Sequence, residues 1–150
     1  MIIAIGSDHA GFEMKGELAE WLQEIGHQSL NCGTDGPESV DYTDFAAAVG
    51  AAVNEGRAEL GILICGTGQG SAMTANKIRG IRAALCNDSY SARLTREHNN
   101  ANVLVMGARV VGSGVARDCV EAFLKTPFSN GERHQRRIEK MMLIEQSSPT

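Results

Sequence analysis

The run Leu60-Gly61-Ile62-Leu63-Ile64-Cys65, followed at once by Gly66-Thr67-Gly68-Gln69-Gly70-Ser71, constrains this chain more than any other stretch. Six residues without a polar interruption cannot alternate between a core and water, so they belong to a strand covered on both faces. Such strands sit inside parallel sheets, where crossover helices supply both covers. The rest of the sequence keeps the matching rhythm. Residues 2–5, 27–31, 81–86 and 103–106 read as further strands. Met14, Leu18, Trp21, Leu22 and Ile25 recur at helical spacing and stop at Gly26; Phe45, Val49, Ala52 and Val53 do so after Tyr42 and stop at Gly56. Helices are also expected over 71–77, 89–98, 112–124 and 132–145, with the longest irregular stretch at 33–41. The expected fold is α/β: a doubly wound parallel sheet of about five strands, helices on both faces and a C-terminal helix, in one domain over residues 1–150.

A net charge of −4 leaves no dense basic face for nucleic acid or a membrane surface, so the expected partner is a small molecule. The apolar start at Met1-Ile2-Ile3-Ala4-Ile5 has no basic flank and meets Ser7-Asp8-His9 too early for a signal peptide or a spanning helix, which predicts a cytoplasmic protein. Cys32, Cys65, Cys86 and Cys119 form no C-x-x-C pair and no histidines stand at zinc-ligand spacing, so a structural metal is not expected. Cys32, Cys86 and Cys119 read as small core residues.

Open α/β sheets bind ligands beyond the carboxyl ends of their strands. The segments that follow strands there are Ser7-Asp8-His9-Ala10-Gly11, the loop from Cys65 to Ser71, Asn87-Asp88 and Gly107-Ala108-Arg109. Gly66, Gly68 and Gly70 let the backbone curl and turn several N–H groups toward one point, which suits either a phosphate or an oxyanion that exists only in a transition state. The spacing is not that of a nucleotide-triphosphatase loop, nor of the dinucleotide fingerprint. Asp88, about twenty residues on, keeps a nucleotide-binding module as a competing reading; a tight turn without a ligand is the plainest one. Cys65 enters this N–H-rich loop as a candidate thiolate base. A redox role would want a resolving cysteine close by, and none follows.

His98 closes a helix ahead of the last strand and is expected near the binding edge as a proton shuttle, or else as a cap on the helix dipole. Asp8 and His9 read equally as turn and cap residues. Arg133 and Arg137 share one helix face and, with Arg109, offer forked donors for a phosphate; the alternative is a solvated basic face, and Arg136 points elsewhere. The same helix ends in Met141-Met142-Leu143-Ile144, an apolar patch suited to a partner subunit.

Taken together, Gly6-Ser7-Asp8-His9-Ala10-Gly11, residues 61–68, Ala75-Asn76-Lys77, residues 96–102 and Arg133-His134-Gln135 resemble ribose-5-phosphate isomerase B, whose wider family includes galactose-6-phosphate and allose-6-phosphate isomerases. The resemblance runs from Met1 to about Glu145. It implies a Rossmann-like fold, no metal or organic cofactor, a sugar-phosphate substrate, and a homodimer or dimer of dimers whose active sites draw on two subunits. By the same resemblance His98, helped by Thr67 and Asp8, opens the furanose ring, and Cys65 moves a proton between C2 and C1. The N–H groups of Gly66, Gly68, Gly70 and Ser71 would hold the enediolate. Arg109, Arg133 and Arg137, with His9 nearby, would take the phosphate, and Asp8, Tyr42, Asn99 and Asn102 the sugar hydroxyls. One branch of the family uses a glutamate after the last loop glycine; Ser71 stands there in this chain, which points to the cysteine branch. Departures from the family pattern fall at 33–40 and 147–150, and the first leaves a six-carbon phosphate or an unphosphorylated uronate derivative as alternatives to the expected pentose phosphate.

Overall fold

The computed structural model describes residues 1–147; of the expected departure at 147–150, all but Ser147 lies outside them. Five parallel strands, β1 (Ile2–Ser7), β2 (Gln28–Asn31), β3 (Leu60–Cys65), β4 (Ala83–Leu85) and β5 (Val103–Gly107), lie in the order β2-β1-β3-β5-β4. The crossovers are α1 (Phe12–Glu24), α2 (Tyr42–Asn54), α3 (Gln69–Ala75) and α4 (Ser89–Asn99), and α5 (Ser113–Lys125) and α6 (Glu132–Ser147) follow the last strand. The expected doubly wound α/β architecture is what forms. From β1 the chain steps outward to β2 and then returns past β1 to β3, so the connections leave these neighbours in opposite directions and open a crevice at their carboxyl ends.

Each central strand is covered on both sides, as its sequence required. Ile3, Ile5, Ile62, Ile64, Leu104 and Met106 pack against Leu18, Leu22, Ala92 and Phe123 of α1, α4 and α5. Alternate residues Ala4, Leu63, Val103 and Val105 pack against Ala46, Val49, Ala52 and Ala75 of α2 and α3. The second layer is built from smaller side chains, and α2 comes in close: a Cβ at Gly61 would lie 2.6 Å from Val49 Cγ1.

Element ends differ from the sequence reading in two instructive places. The β4 strand is three residues long, and the Asn76 side chain takes both backbone groups of its first residue, Ala83, donating to its carbonyl at 2.8 Å and accepting from its N–H at 2.9 Å. The α3 helix begins at Gln69, earlier than its apolar period suggested, because Gly68 at φ +82° turns the chain straight into the helix. Cys86 and Cys119 are buried as expected, and burial pushes their thiols up to about 12 and about 11; Cys32 is only half-buried.

Lys15 is a buried cation that no pattern announced. Its Nζ donates to Asn31 Oδ1 at 2.8 Å and to the Thr34 carbonyl at 2.6 Å, with Asp35 Oδ1 at 3.8 Å. Burial holds its ammonium below the ordinary lysine range, and the Asp35 carboxylate opposes that shift. The bonds tie α1 to the start of the loop between β2 and α2, and so fix where that loop sets out toward the crevice.

Among the described residues no helix is long and apolar enough to cross a membrane. Phe123 is the largest fully buried side chain and joins α5 to the sheet. Phe123→Ala is expected to cost about 3–5 kcal/mol, read as a lower urea midpoint at unchanged slope.

Candidate active site

The tail of β1, the start of α2, the turn after β3 and the turn after β5 converge over the crevice. What joins them is close backbone approach. A Cβ at Gly107 would sit 2.7 Å from the Thr67 carbonyl, and one at Gly11 would sit 2.6 Å from the Ile64 carbonyl oxygen. Both contacts admit hydrogen alone. The Ala108 N–H donates to the Cys65 carbonyl at 2.8 Å and the Arg109 N–H to the Gly66 carbonyl at 3.0 Å, lacing β5 to the loop. Within that frame the Gly68 N–H donates to Cys65 Sγ at 3.2 Å. Cys65 is 4% exposed, and the donor is placed to stabilise negative charge that develops on its sulfur.

Asp8 is buried, and its Oδ1 accepts from the N–H groups of Ala10 at 3.0 Å and Gly11 at 3.2 Å, which caps the turn and orients the carboxylate. His9 Nδ1 accepts from the Val40 N–H at 3.3 Å. That bond leaves Nε2 to carry the ring proton. Tyr42, the first residue of α2, lies over Gly70: a Cβ there would be 2.5 Å from its Cζ. Ser71 is buried in the first turn of α3, and Thr67 Oγ1 accepts from the Gln69 N–H at 3.5 Å. Arg109 is exposed and reaches over Gly66, where a Cβ would stand 3.6 Å from its Nη1. Asp8, His9, Tyr42, Cys65, Thr67, Gly66, Gly68, Gly70, Ser71 and Arg109 therefore form one cluster within a single chain.

His98, Asn99, Arg133 and Arg137 do not join it. The sequence reading put His98 near the binding edge, but α4 is a crossover helix that leaves the carboxyl edge at Asp88 and runs back. Its eleven residues span about 16 Å, so His98 stands at the opposite, amino edge of the sheet. Asn102 lies there as well, clamping the starts of β4 and β5: its Oδ1 accepts from the Arg82 N–H at 2.7 Å and its Nδ2 donates to the Gly80 carbonyl at 2.8 Å. These bonds hold Asn102 at the amino edge, apart from the carboxyl-edge cluster.

At this second location the first turn of α6 meets the last turn of α4. The His98 and His134 rings have centroids 4.3 Å apart at 31°. His134 Nδ1 is 2.7 Å from Ser129 Oγ, and Arg133 Nε donates to His134 Nε2 at 3.4 Å. Burial first, then His98 and the Arg133 and Arg137 guanidinium groups, hold His134 below the ordinary histidine range, with Glu97 opposing. Sequence reasoning singled out both arginines and passed over the histidine between them; the available signal was its place beside Arg133 on the helix expected to carry charge.

Residues 3–141 match the family model described as Ribose/Galactose Isomerase. The chain belongs to that family. It is 46% identical over 144 residues to ribose-5-phosphate isomerase B of Escherichia coli, covering 96% of both chains. It also superposes on the structure of Clostridium thermocellum ribose-5-phosphate isomerase B with a TM-score of 0.95 at 50% identity, covering 97% of this chain and 98% of that one. A D-erythrulose-4-phosphate isomerase of Pectobacterium atrosepticum is 41% identical over 130 residues, 86% of each chain. These relatives make the chain an aldose–ketose isomerase of the sugar-phosphate class.

The hydrogen-only contact at Gly107 gives a direct check on this geometry. Gly107→Ala is expected to displace the Thr67 loop, lowering turnover at least about tenfold and stability by about 1–3 kcal/mol. Gly114→Ala, on the open side of α5 where a Cβ meets nothing within 4 Å, should leave turnover unchanged and raise stability by about 0.4–1 kcal/mol. Paired turnover and urea-unfolding measurements separate the two.

Proposed function

We propose that this isomerase interconverts ribose 5-phosphate and ribulose 5-phosphate through a cis-enediolate, with Cys65 as the base. The observation that carries the reading is the Cys65 sulfur itself, held by the Gly68 N–H at the mouth of a crevice lined with backbone donors. A base beside preorganised N–H groups is what proton transfer between C1 and C2 of a sugar requires, because the negative charge moves onto oxygen as the proton moves onto sulfur. In the aldose-to-ketose direction Cys65 takes the proton from C2 and returns it to C1. The loop N–H groups of Gly66, Gly68, Gly70 and Ser71 stabilise the enediolate oxygens, Thr67 and Asp8 assist opening of the ring, and Tyr42 contacts the sugar. No step in this sequence calls for a metal or an organic cofactor.

In this reading the site is completed by a second copy of the chain, in a homodimer or a dimer of dimers. One chain cannot bring His98 to Cys65, since they lie at opposite edges of one sheet. A partner packed amino edge to carboxyl edge supplies His98 to open the ring, Asn99 to a hydroxyl, and Arg133 and Arg137 to share the phosphate with Arg109 and His9. The exposed Met141, Leu143 and Ile144 near the end of α6, beside a groove of about 790 Å³ that includes Asn99, support such packing.

The test follows ribose 5-phosphate by NMR in deuterated water with chelator present, beside erythrose 4-phosphate and allose 6-phosphate. Turnover of the pentose with deuterium appearing at C1 supports the reading; turnover of the tetrose or hexose alone keeps the chemistry and replaces the substrate. Cys65→Ala is expected to lose at least about a hundredfold in kcat, whereas Arg137→Ala chiefly raises KM, by about tenfold or more. The shared site gives a second prediction. Mixing inactive Cys65→Ala and His98→Asn chains and allowing them to exchange should restore about a quarter of wild-type activity, because half the dimers are mixed and each mixed dimer has one intact site. No recovery would overturn the two-chain site.

A further inference from the structure

We propose that His134 is a positioning residue for His98: a neutral imidazole, locked in one tautomer between Ser129 and Arg133, that serves as the platform on which the ring-opening histidine is oriented. The inference rests on the reading of His98 given above and assigns a role to a residue outside the reacting set.

The tautomer follows from donor inventory. Arginine Nε can only donate, so the Arg133 contact at 3.4 Å makes His134 Nε2 an acceptor without a proton. The ring proton then sits on Nδ1 and donates to Ser129 Oγ at 2.7 Å. Ser129 is itself held in place, its N–H donating to the Glu97 carbonyl at 3.0 Å and its Oγ accepting from the Gly131 N–H at 3.2 Å. Both ring nitrogens of His134 are thereby committed in the neutral form, and the ring cannot turn without breaking a bond at each end.

The groups around the ring act in the same direction. His134 is 9% exposed, and it meets His98 and Glu97 from α4, Ser129 from the α5–α6 connection, and Arg133 and Arg137 from its own helix. Three of those neighbours are cationic or become so, which disfavours a proton on His134, and only Glu97 opposes them. Two imidazolium rings 4.3 Å apart would repel, so the proton that comes and goes during ring opening belongs to the more exposed His98. A flat neutral ring offers that proton's carrier a face to rest on, at a separation suited to aromatic and cation–π contact. Arg133 contributes Nε to the lock, so the guanidinium that is proposed to bind phosphate also holds the platform, and substrate engagement and ring opening share one rigid unit.

The experiment combines spectroscopy with two kinetic readouts. In the wild-type protein, 15N NMR of the histidine side chains at neutral pH should show His134 as the Nδ1–H tautomer; an Nε2–H or doubly protonated ring overturns the proposal whatever the substrate proves to be. Kinetically, net isomerisation of ring-closed ribose 5-phosphate is compared with deuterium wash-in at C1 of ribulose 5-phosphate, which is open-chain and so needs the phosphate and Cys65 contacts but not the ring-opening step. His134→Ala is expected to lower net isomerisation about tenfold or more beyond its effect on wash-in. His134→Phe, which keeps a flat ring without nitrogens, should recover most of that loss, while His134→Gln, which keeps hydrogen bonding without the ring, should not. Equal losses in both assays, or rescue by Gln and not by Phe, overturns the platform role. A wild-type enzyme inactive on ribose 5-phosphate would instead count against the proposed substrate, with the tautomer measurement still deciding the geometry of the pair.

Discussion

Parallel strands can be joined only by a chain that returns to the edge it started from, and the organisation of this isomerase depends on that return. Every strand delivers its last residue to the carboxyl edge, so Asp8, Cys65 and Arg109 arrive together although they are far apart in sequence. Every crossover helix carries its own last residue away again, so His98 and Asn99 are left at the amino edge. One geometric rule thus brings most of the candidate site residues together and leaves His98 and Asn99 apart from them. The separation leaves the crevice of one chain without His98, and in the proposed two-chain site the exposed apolar end of α6 belongs to the same account.

The carboxyl-edge cluster was largely legible in the sequence because its determinants are local. Leu60–Cys65 had to be a covered strand, glycines had to follow where backbones meet, and the rule for ligand position in open sheets did the rest. The amino-edge group was legible as residue types but not as a place. Reading His98 as close to the binding edge overlooked the direction of α4, which the sequence does contain once the helix is known to be a crossover. Asn102, Asn76 and Lys15 were opaque for another reason: each satisfies backbone groups of a different segment. Side-chain-to-backbone clamps of this kind have no period and no fixed spacing, and they appear only when the tertiary arrangement is in hand.

Cores and site also divide the sequence by side-chain size. The layer against α1, α4 and α5 is filled by isoleucine, leucine, methionine and Phe123, which give bulk and stability. The layer that leads into the loop beneath Cys65 is rich in alanine and glycine, which lets α2 and α3 approach closely. Close approach makes chemistry from the backbone: the Gly68 N–H reaches the Cys65 sulfur, and hydrogen-only contacts at Gly11 and Gly107 hold the loop where it is. A backbone donor set does not depend on the length of the sugar, which fits a family whose named members act on different sugar phosphates. The segment from Gly33 to Tyr42 borders the same site, anchored at its start by Lys15 and bonded near its end to His9.

In the proposed two-chain site, binding and assembly become one equilibrium. A substrate whose phosphate rests on Arg133 and Arg137 of one chain while its C1 and C2 lie against Cys65 of the other can bind only the dimer, so it must stabilise the dimer by the same free energy with which the dimer favours it. The phosphate takes no part in the chemistry, yet its charge-assisted bonds can be spent on holding the reacting carbons against the sulfur. A single chain carrying all these residues at one edge would gain the same contacts without that coupling. Here the return direction of α4 rules that arrangement out, and in the proposed site the amino-edge residues act only through a neighbour.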